Sequence, residues 1–162
     1  MKIANNMMNI QILSSENLDK LVEFEQNARL SESDIFVEGF DSEKFRNETL
    51  SSLENPDFAS AKCLMCADAH GNIIGRLDFT ILPSLAFGGD MRAYVDWVYV
   101  LKERRHKGVA RFLFKHFEEY LTELGINEYF LVTAENPEAQ SFYTGIKDAQ
   151  IQNQAILTKK FQ

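Results

Sequence analysis

The run RRHKGVARF, residues 104–112, crowds Arg104, Arg105, His106 and Lys107 against Gly108, in a chain whose formal net charge is -7. A strand pattern ends near Leu101 and a helical pattern begins at Gly108. The first backbone N–H groups of a helix have no partner inside it and carry partial positive charge from the helix dipole. A glycine at that point removes the Cβ that would hold a ligand off the backbone. Strand, glycine turn and helix start together predict an anion site, most often for phosphate, with the basic side chains at its rim. The P-loop pattern G-x-x-x-x-G-K-[ST] and the dinucleotide fingerprint G-x-G-x-x-G are both absent.

A second reactive group lies just upstream. Asp96 stands in RAYVDWVYVL, residues 92–101, which is rich in β-branched and aromatic residues and reads as a central strand. A carboxylate in such a strand needs a partner or a task. It is either half of an ion pair, with Arg92 or Arg76, or a group with a task of its own. Simple alternation places Tyr94, Asp96, Val98 and Val100 on one face and Val95, Trp97 and Tyr99 on the other. Cys63 and Cys66 form a C-x-x-C, but no second pair completes a zinc site. Within a strand, residues three apart face opposite sides, so both cysteines read as core, and no metal is expected.

These groups need elements to position them. Asn9–Leu13 reads as a strand, followed by a helix to about Leu30 that Ser14 or Ser15 can cap. Ser31–Phe40 reads as a loop with Phe36, Val37 and Phe40 turned inward. A second helix runs from a cap at Asp41 or Ser42 to Leu53. Two strands, Ala59–Ala69 and Ile73–Leu82, flank the turn His70-Gly71-Asn72. Beyond the Asp96 strand, a stripe of Val109, Phe112, Leu113, Phe117, Leu121 and Leu124 marks a long amphipathic helix. Tyr129–Thr133 is a short strand, Asn136-Pro137 opens a last helix to Thr144, and Gln150–Phe161 suggests one or two closing strands. The order β-α-α-β-β-β-α-β-α-β predicts an α/β fold: one mixed, mostly antiparallel sheet with helices on both faces.

The totals narrow the setting. The chain has 162 residues, 45% apolar and 25% charged, which suits a single domain spanning 1–162. No apolar run approaches the roughly 20 residues of a membrane helix. The opening MKIANNMMNIQIL lacks the features of a signal peptide, so the expected setting is cytoplasmic and away from membranes. An acidic balance argues against general nucleic-acid binding.

The pattern Arg105-x-x-Gly108-x-Ala110, after a strand ending Val98-Tyr99-Val100, resembles the acetyl-CoA signature [Q/R]-x-x-G-x-[G/A] of the GNAT superfamily of N-acetyltransferases. Asn136-x-x-Ala139-x-x-Phe142-Tyr143 is similar to the N-x-x-A-x-x-F-Y motif of the same superfamily. After Tyr143 the chain reads TGIKD where family members usually continue with a K-x-G-F-like run.

The resemblance implies an N-acetyltransferase that moves the acetyl group of acetyl-CoA directly to an amine, small-molecule or peptide, within a ternary complex. It also implies roles. The backbone of Val98, Tyr99 and Val100 would hold the pantetheine arm and supply the oxyanion donor. The backbone of Arg105, His106, Lys107, Gly108, Val109, Ala110 and Arg111 would wrap the pyrophosphate. Asn136 would touch the cofactor's arm, although its type and place also suit a helix cap. Tyr143 would protonate the departing sulfur, and Asp96 would serve as base or order a water. Homodimerisation is frequent in such proteins. The same fold could instead hold acetyl-CoA without turnover, as a sensor or partner-binding module.

Overall fold

The computed structural model describes residues 7–34, 36, 39–85, 89–133, 135–153 and 155–161. In chain order the elements are β1 (Asn9–Ile12), α1 (Leu18–Ser31), α2 (Ser42–Glu54), β2 (Ala61–Ala67), β3 (Ile73–Pro83), β4 (Met91–Val100), α3 (Val109–Glu123), β5 (Tyr129–Leu131) and α4 (Pro137–Thr144). Short 3-10 turns cover Pro56–Phe58 and Lys102–Arg104. The strands form one sheet in the order β1-β2-β3-β4-β5. Its first four strands are antiparallel, and β5 runs parallel to β4. The chain divides into two compact units, Met1–Leu131 and Val132–Gln162.

Helices cover both faces of the sheet. On one face α1 buries Leu18, Leu21, Phe24 and Ala28 against Cys63, Met65 and Ala67 of β2 and Tyr99 of β4. On the other, α3 buries Val109, Leu113, Phe117 and Leu121, and the Phe117 ring lies 4.8 Å from that of Phe79 in β3. Cys63 packs in the α1 cluster, whereas Cys66 pairs with Gly75, whose missing side chain would point at Val109 of α3. The two cysteines are free and buried on opposite faces, as strand alternation requires.

Helix ends follow local chemistry, with one change from expectation. Asp41 caps α2 by accepting from Lys44 N at 2.9 Å. Neither Ser14 nor Ser15 caps α1. Its N-cap is Asn17, whose side chain instead turns back to accept from Ser14 N (2.8 Å) and donate to Ile12 O (2.9 Å), closing the β1–α1 turn. Phe36 and Phe40 are half-buried, the first against Tyr99 and the second against Phe45. Val37 lies outside the described residues.

The closing strands are absent: residues 150–153 and 155–161 form none. The apolar residues that suggested them are exposed, Ile156 at 67% and Leu157 at 91%. An alternating pattern makes a strand only where a neighbouring ladder and a buried face receive it.

Candidate active site

The glycine turn has the geometry of an anion cradle. Leu101 N donates to Ile74 O (3.1 Å), closing the end of β4. His106 (φ 58°) and Gly108 (φ 83°) then adopt left-handed backbone, a conformation used in the concave N–H nests that bind anions. Gly108 is the N-cap of α3, and no side chain caps that end. The first helical bond runs from Phe112 N to Gly108 O (2.9 Å), so the N–H groups of Val109, Ala110 and Arg111 have no intrahelical acceptor. A Cβ on Gly108 would meet no atom within 4 Å. Protein packing therefore does not demand the glycine; its positive φ and the open approach to the amides do.

A second glycine sets the depth of the turn. A Cβ on Gly75 would lie 2.8 Å from Val109 Cγ1, so a larger residue there would push the first residue of α3 off the sheet. A glycine inside a strand signals such a close approach, and this one was readable in the sequence.

Arg104 and Arg105 are half-buried against acidic partners, whereas His106 and Lys107 are exposed. Arg105 makes a forked pair with Glu32, Nη1 to Oε1 at 3.0 Å and Nη2 to Oε2. Its Nε donates to Val100 O (3.2 Å), and its guanidinium sits 5.5 Å from the Tyr99 ring centre. The Tyr99 hydroxyl donates to the same Glu32. Arg104 bonds Asp68 Oδ2 at 3.1 Å, and Lys107 Nζ donates to Glu103 O at 2.9 Å. The cations thus shape the turn, and backbone amides remain as the chief partners for an anion.

Both anchoring carboxyls respond to these contacts. Burial pushes Glu32 upward, but hydrogen bonds from Arg105 and Tyr99 outweigh it and hold the group below the ordinary range. Asp68 is likewise opposed by burial and lowered by the N–H groups of His70 and Asn72. No spacing rule marks Glu32, because its partners lie 67 and 73 residues away.

The Asp96 strand departs from simple alternation. Asp78 pairs with Trp97, but Phe79 pairs with Val95, so Asp96 is the extra residue of a β-bulge. Val95 thereby joins the α3-side face with Val98 and Val100, and Trp97 and Tyr99 face α1. Since Leu101 bonds Ile74, the ladder turns the backbone groups of Tyr99 toward β3 and those of Val98 and Val100 away from it. The bond from Arg105 to Val100 O fits that orientation. On this side β5 accompanies β4 only along Ala93–Val95.

Neither ion pair expected for Asp96 forms. Arg76 is held between Glu25 (2.5 Å) and Asp78, and Arg92 lies 3.5 Å from Glu128. Asp78 stands two residues along the same strand as Arg76, whereas Glu25 comes from α1 and Glu128 from just before β5, neighbours that the sequence pattern does not reveal. Asp96 is exposed and lines a cavity of about 330 Å3 with Arg76, Asp78 and residues of α2.

Residues 132–162 carry the remaining expected groups. Asn136 is the N-cap of α4, its Oδ1 accepting from Ala139 N at 2.7 Å. The ring of Phe142 packs 5.3 Å from that of Tyr143. Tyr143 is half-buried, and that burial raises its phenol above the usual value, so it carries its proton at neutral pH. Among the described residues no group of three His, Cys, Asp or Glu is placed to hold a metal ion. No helix among them is long and apolar enough to cross a membrane.

The site is thus a mixed sheet whose bulged strand feeds a glycine turn and an uncapped helix start. The chain matches the model of the Acetyltransferase (GNAT) family over residues 26–145, and it belongs to that family. No curated protein matches it by sequence. Solved structures share its fold. An aminoglycoside acetyltransferase from an uncultured soil metagenomic sample, in complex with trehalose, superposes with a TM-score of 0.75 at 20% identity, covering 98% of this chain and 99% of that one. The ribosomal-protein-alanine N-acetyltransferase of Brucella melitensis biovar Abortus 2308 gives 0.71 at 18%, covering 94% and 100%. An aminoglycoside N-acetyltransferase in complex with CoA gives 0.72 at 16%, covering 99% and 100%.

Proposed function

We propose that the chain acts as one domain that transfers the acetyl group of acetyl-CoA to a primary amine. The observation that carries this reading is the turn at Gly108: left-handed, uncapped, and open above the first amides of α3. In this reading the backbone from Arg105 to Arg111 receives the pyrophosphate, with Glu32 and Arg105 holding the turn in shape. The open-edge backbone of Val98 and Val100 receives the pantetheine arm, and a strand N–H there donates to the thioester oxygen as negative charge grows on it. Asn136 uses its carbonyl oxygen as cap and keeps its amide N–H groups for the arm.

Asp96 and Tyr143 divide the proton traffic. Asp96 takes a proton from the incoming ammonium. The freed nitrogen lone pair attacks the thioester carbon, a C–N bond forms, and the C–S bond then breaks. Tyr143 protonates the departing sulfur. The second nitrogen proton leaves for solvent, from which the phenol is restored, so the products are the amide, free CoA thiol and one proton. Burial holds the Tyr143 phenol above its ordinary range, so it stays protonated and stands ready as the donor when the thiolate leaves.

The test is release of free thiol from acetyl-CoA in the presence of amines. Tyr143→Phe should lower turnover by about a hundredfold or more while acetyl-CoA affinity stays within about twofold. Equal turnover would remove Tyr143 from the mechanism. Acetyl-CoA bound without thiol release would mark a binding module instead.

A further inference from the structure

The cavity beside Asp96 carries information about the acceptor, and the inference that follows rests on the acetyltransferase reading above. At about 330 Å3 it lies at the small end of ligand pockets, which run roughly 300–1000 Å3. Its wall is largely apolar, with Leu21, Phe45 and Phe79 among the lining residues. Three more lining residues, Ile12, Leu53 and Phe58, are exposed at 46%, 40% and 51%. Large apolar side chains gathered at a cavity and left open to water mark a surface that a ligand covers.

The charges in the same cavity are few and unequal in availability. Asp78 is tied through Oδ2 to Arg76, which also holds Glu25, and its Oδ1 is buried without a hydrogen-bond partner among the described residues. Asp96 has no ion pair among the described residues. Lys62 adds a positive charge to the wall. One solvent-exposed carboxylate, Asp96, therefore faces one incoming ammonium, and a second cation on the same ligand would meet Lys62 and the guanidinium that neutralises Asp78.

We infer that the acceptor is a primary monoamine on an apolar, aryl or alkyl, body. Its ammonium pairs with Asp96 at the bulge, and its body lies on Phe45, Leu53 and Phe58. Polycationic acceptors such as polyamines and aminoglycosides are poor fits, although proteins of this fold include aminoglycoside acetyltransferases. Three solvent-exposed apolar residues around one cavity would have no ligand to cover with a sugar-based polycation.

The experiment is free-thiol release by the full chain with acetyl-CoA and a matched panel: 2-phenylethylamine, n-hexylamine, spermidine and kanamycin. The monoamines should exceed spermidine and kanamycin in kcat/KM by about tenfold or more, the scale of a charge-assisted hydrogen bond gained or lost. Phe58→Ser should raise the KM for 2-phenylethylamine severalfold and leave acetyl-CoA affinity, measured by calorimetry, unchanged. Lys62→Glu should shift the ratio of spermidine to hexylamine turnover toward spermidine. Preference for a polycation, or equal KM in Phe58→Ser, overturns this inference alone, because transfer still occurs. Acetyl-CoA binding without thiol release in the presence of any amine overturns both it and the acetyltransferase reading.

Discussion

The two faces of the sheet are built from different chemistry. The α3 face is apolar: Val109, Leu113, Phe117 and Leu121 meet Leu77 and Phe79, with Phe117 and Leu113 fully buried. The α1 face is laced with charge. Glu25, Arg76 and Asp78 form one chain of ion pairs, and Glu32, Arg105 and Tyr99 form another. The first face supplies non-directional burial. The second fixes directions, because a buried carboxylate stays only where donors are correctly placed. Both faces bury apolar side chains, and the α1 face adds to its cluster of Leu18, Leu21, Phe24 and Met65 the ion pairs that position the turn.

Substitutions can sharpen that contrast. The largest expected effect is on the apolar face. Phe117→Ala should cost about 3–5 kcal/mol, read as a shift in the midpoint of chemical unfolding. A loss below about 1 kcal/mol would show that the α3 face is not a main source of stability.

On the charged face the effect should be smaller and should appear in binding. Glu32→Gln removes the charge that Arg105 grips and should cost about 1.5–3 kcal/mol. If the turn at Gly108 receives acetyl-CoA as proposed, the diagnostic sign is a raised KM for acetyl-CoA with kcat nearly unchanged, since Arg105 ties that turn to Glu32 and Val100 O. Adding Arg105→Met should cost less than the sum of the two single changes. A purely structural pair would move the unfolding midpoint and leave KM alone.

Acid should act on the charged face gently and in a defined direction. Glu32 and Asp68 both titrate below their ordinary values of 4.5 and 3.8 in the folded chain. Below those values the unfolded chain binds protons that the folded chain does not. The stability they contribute is complete above about pH 4.5 and falls as pH drops through the lowered folded pKa. Urea midpoints between pH 6 and 3 should show this decline, weakened in Glu32→Gln. A decline of the same size in that variant would take Glu32 out of the linkage.

The same contrast explains what the sequence could show. Periodicity reads burial, so α3 and β2 to β4 were legible from their apolar stripes, and Asp41 and Asn136 from local capping chemistry. The turn at Gly108 was legible because a glycine between a strand and a helix has few local explanations. Charged partners were not legible. Arg76 finds Glu25 51 residues away, and Arg105 finds Glu32 across 73, distances that only the completed sheet brings together. The bulge at Asp96 was hidden for the same reason, since an extra residue in one strand is defined only by the register of its neighbour. The closing strands failed because alternation in residues 150–161 signals a face without guaranteeing a ladder to receive it.

The central claim is that the amides behind Gly108 hold the diphosphate of CoA. Calorimetric titration of CoA into the wild-type chain and into Gly108→Glu tests it most directly, with circular dichroism confirming that the variant is folded. The glutamate would place a like charge where the phosphates must sit and strain a backbone at φ 83°, so binding should weaken by about a hundredfold or more. A folded Gly108→Glu chain that binds CoA as tightly as the wild type would contradict the account.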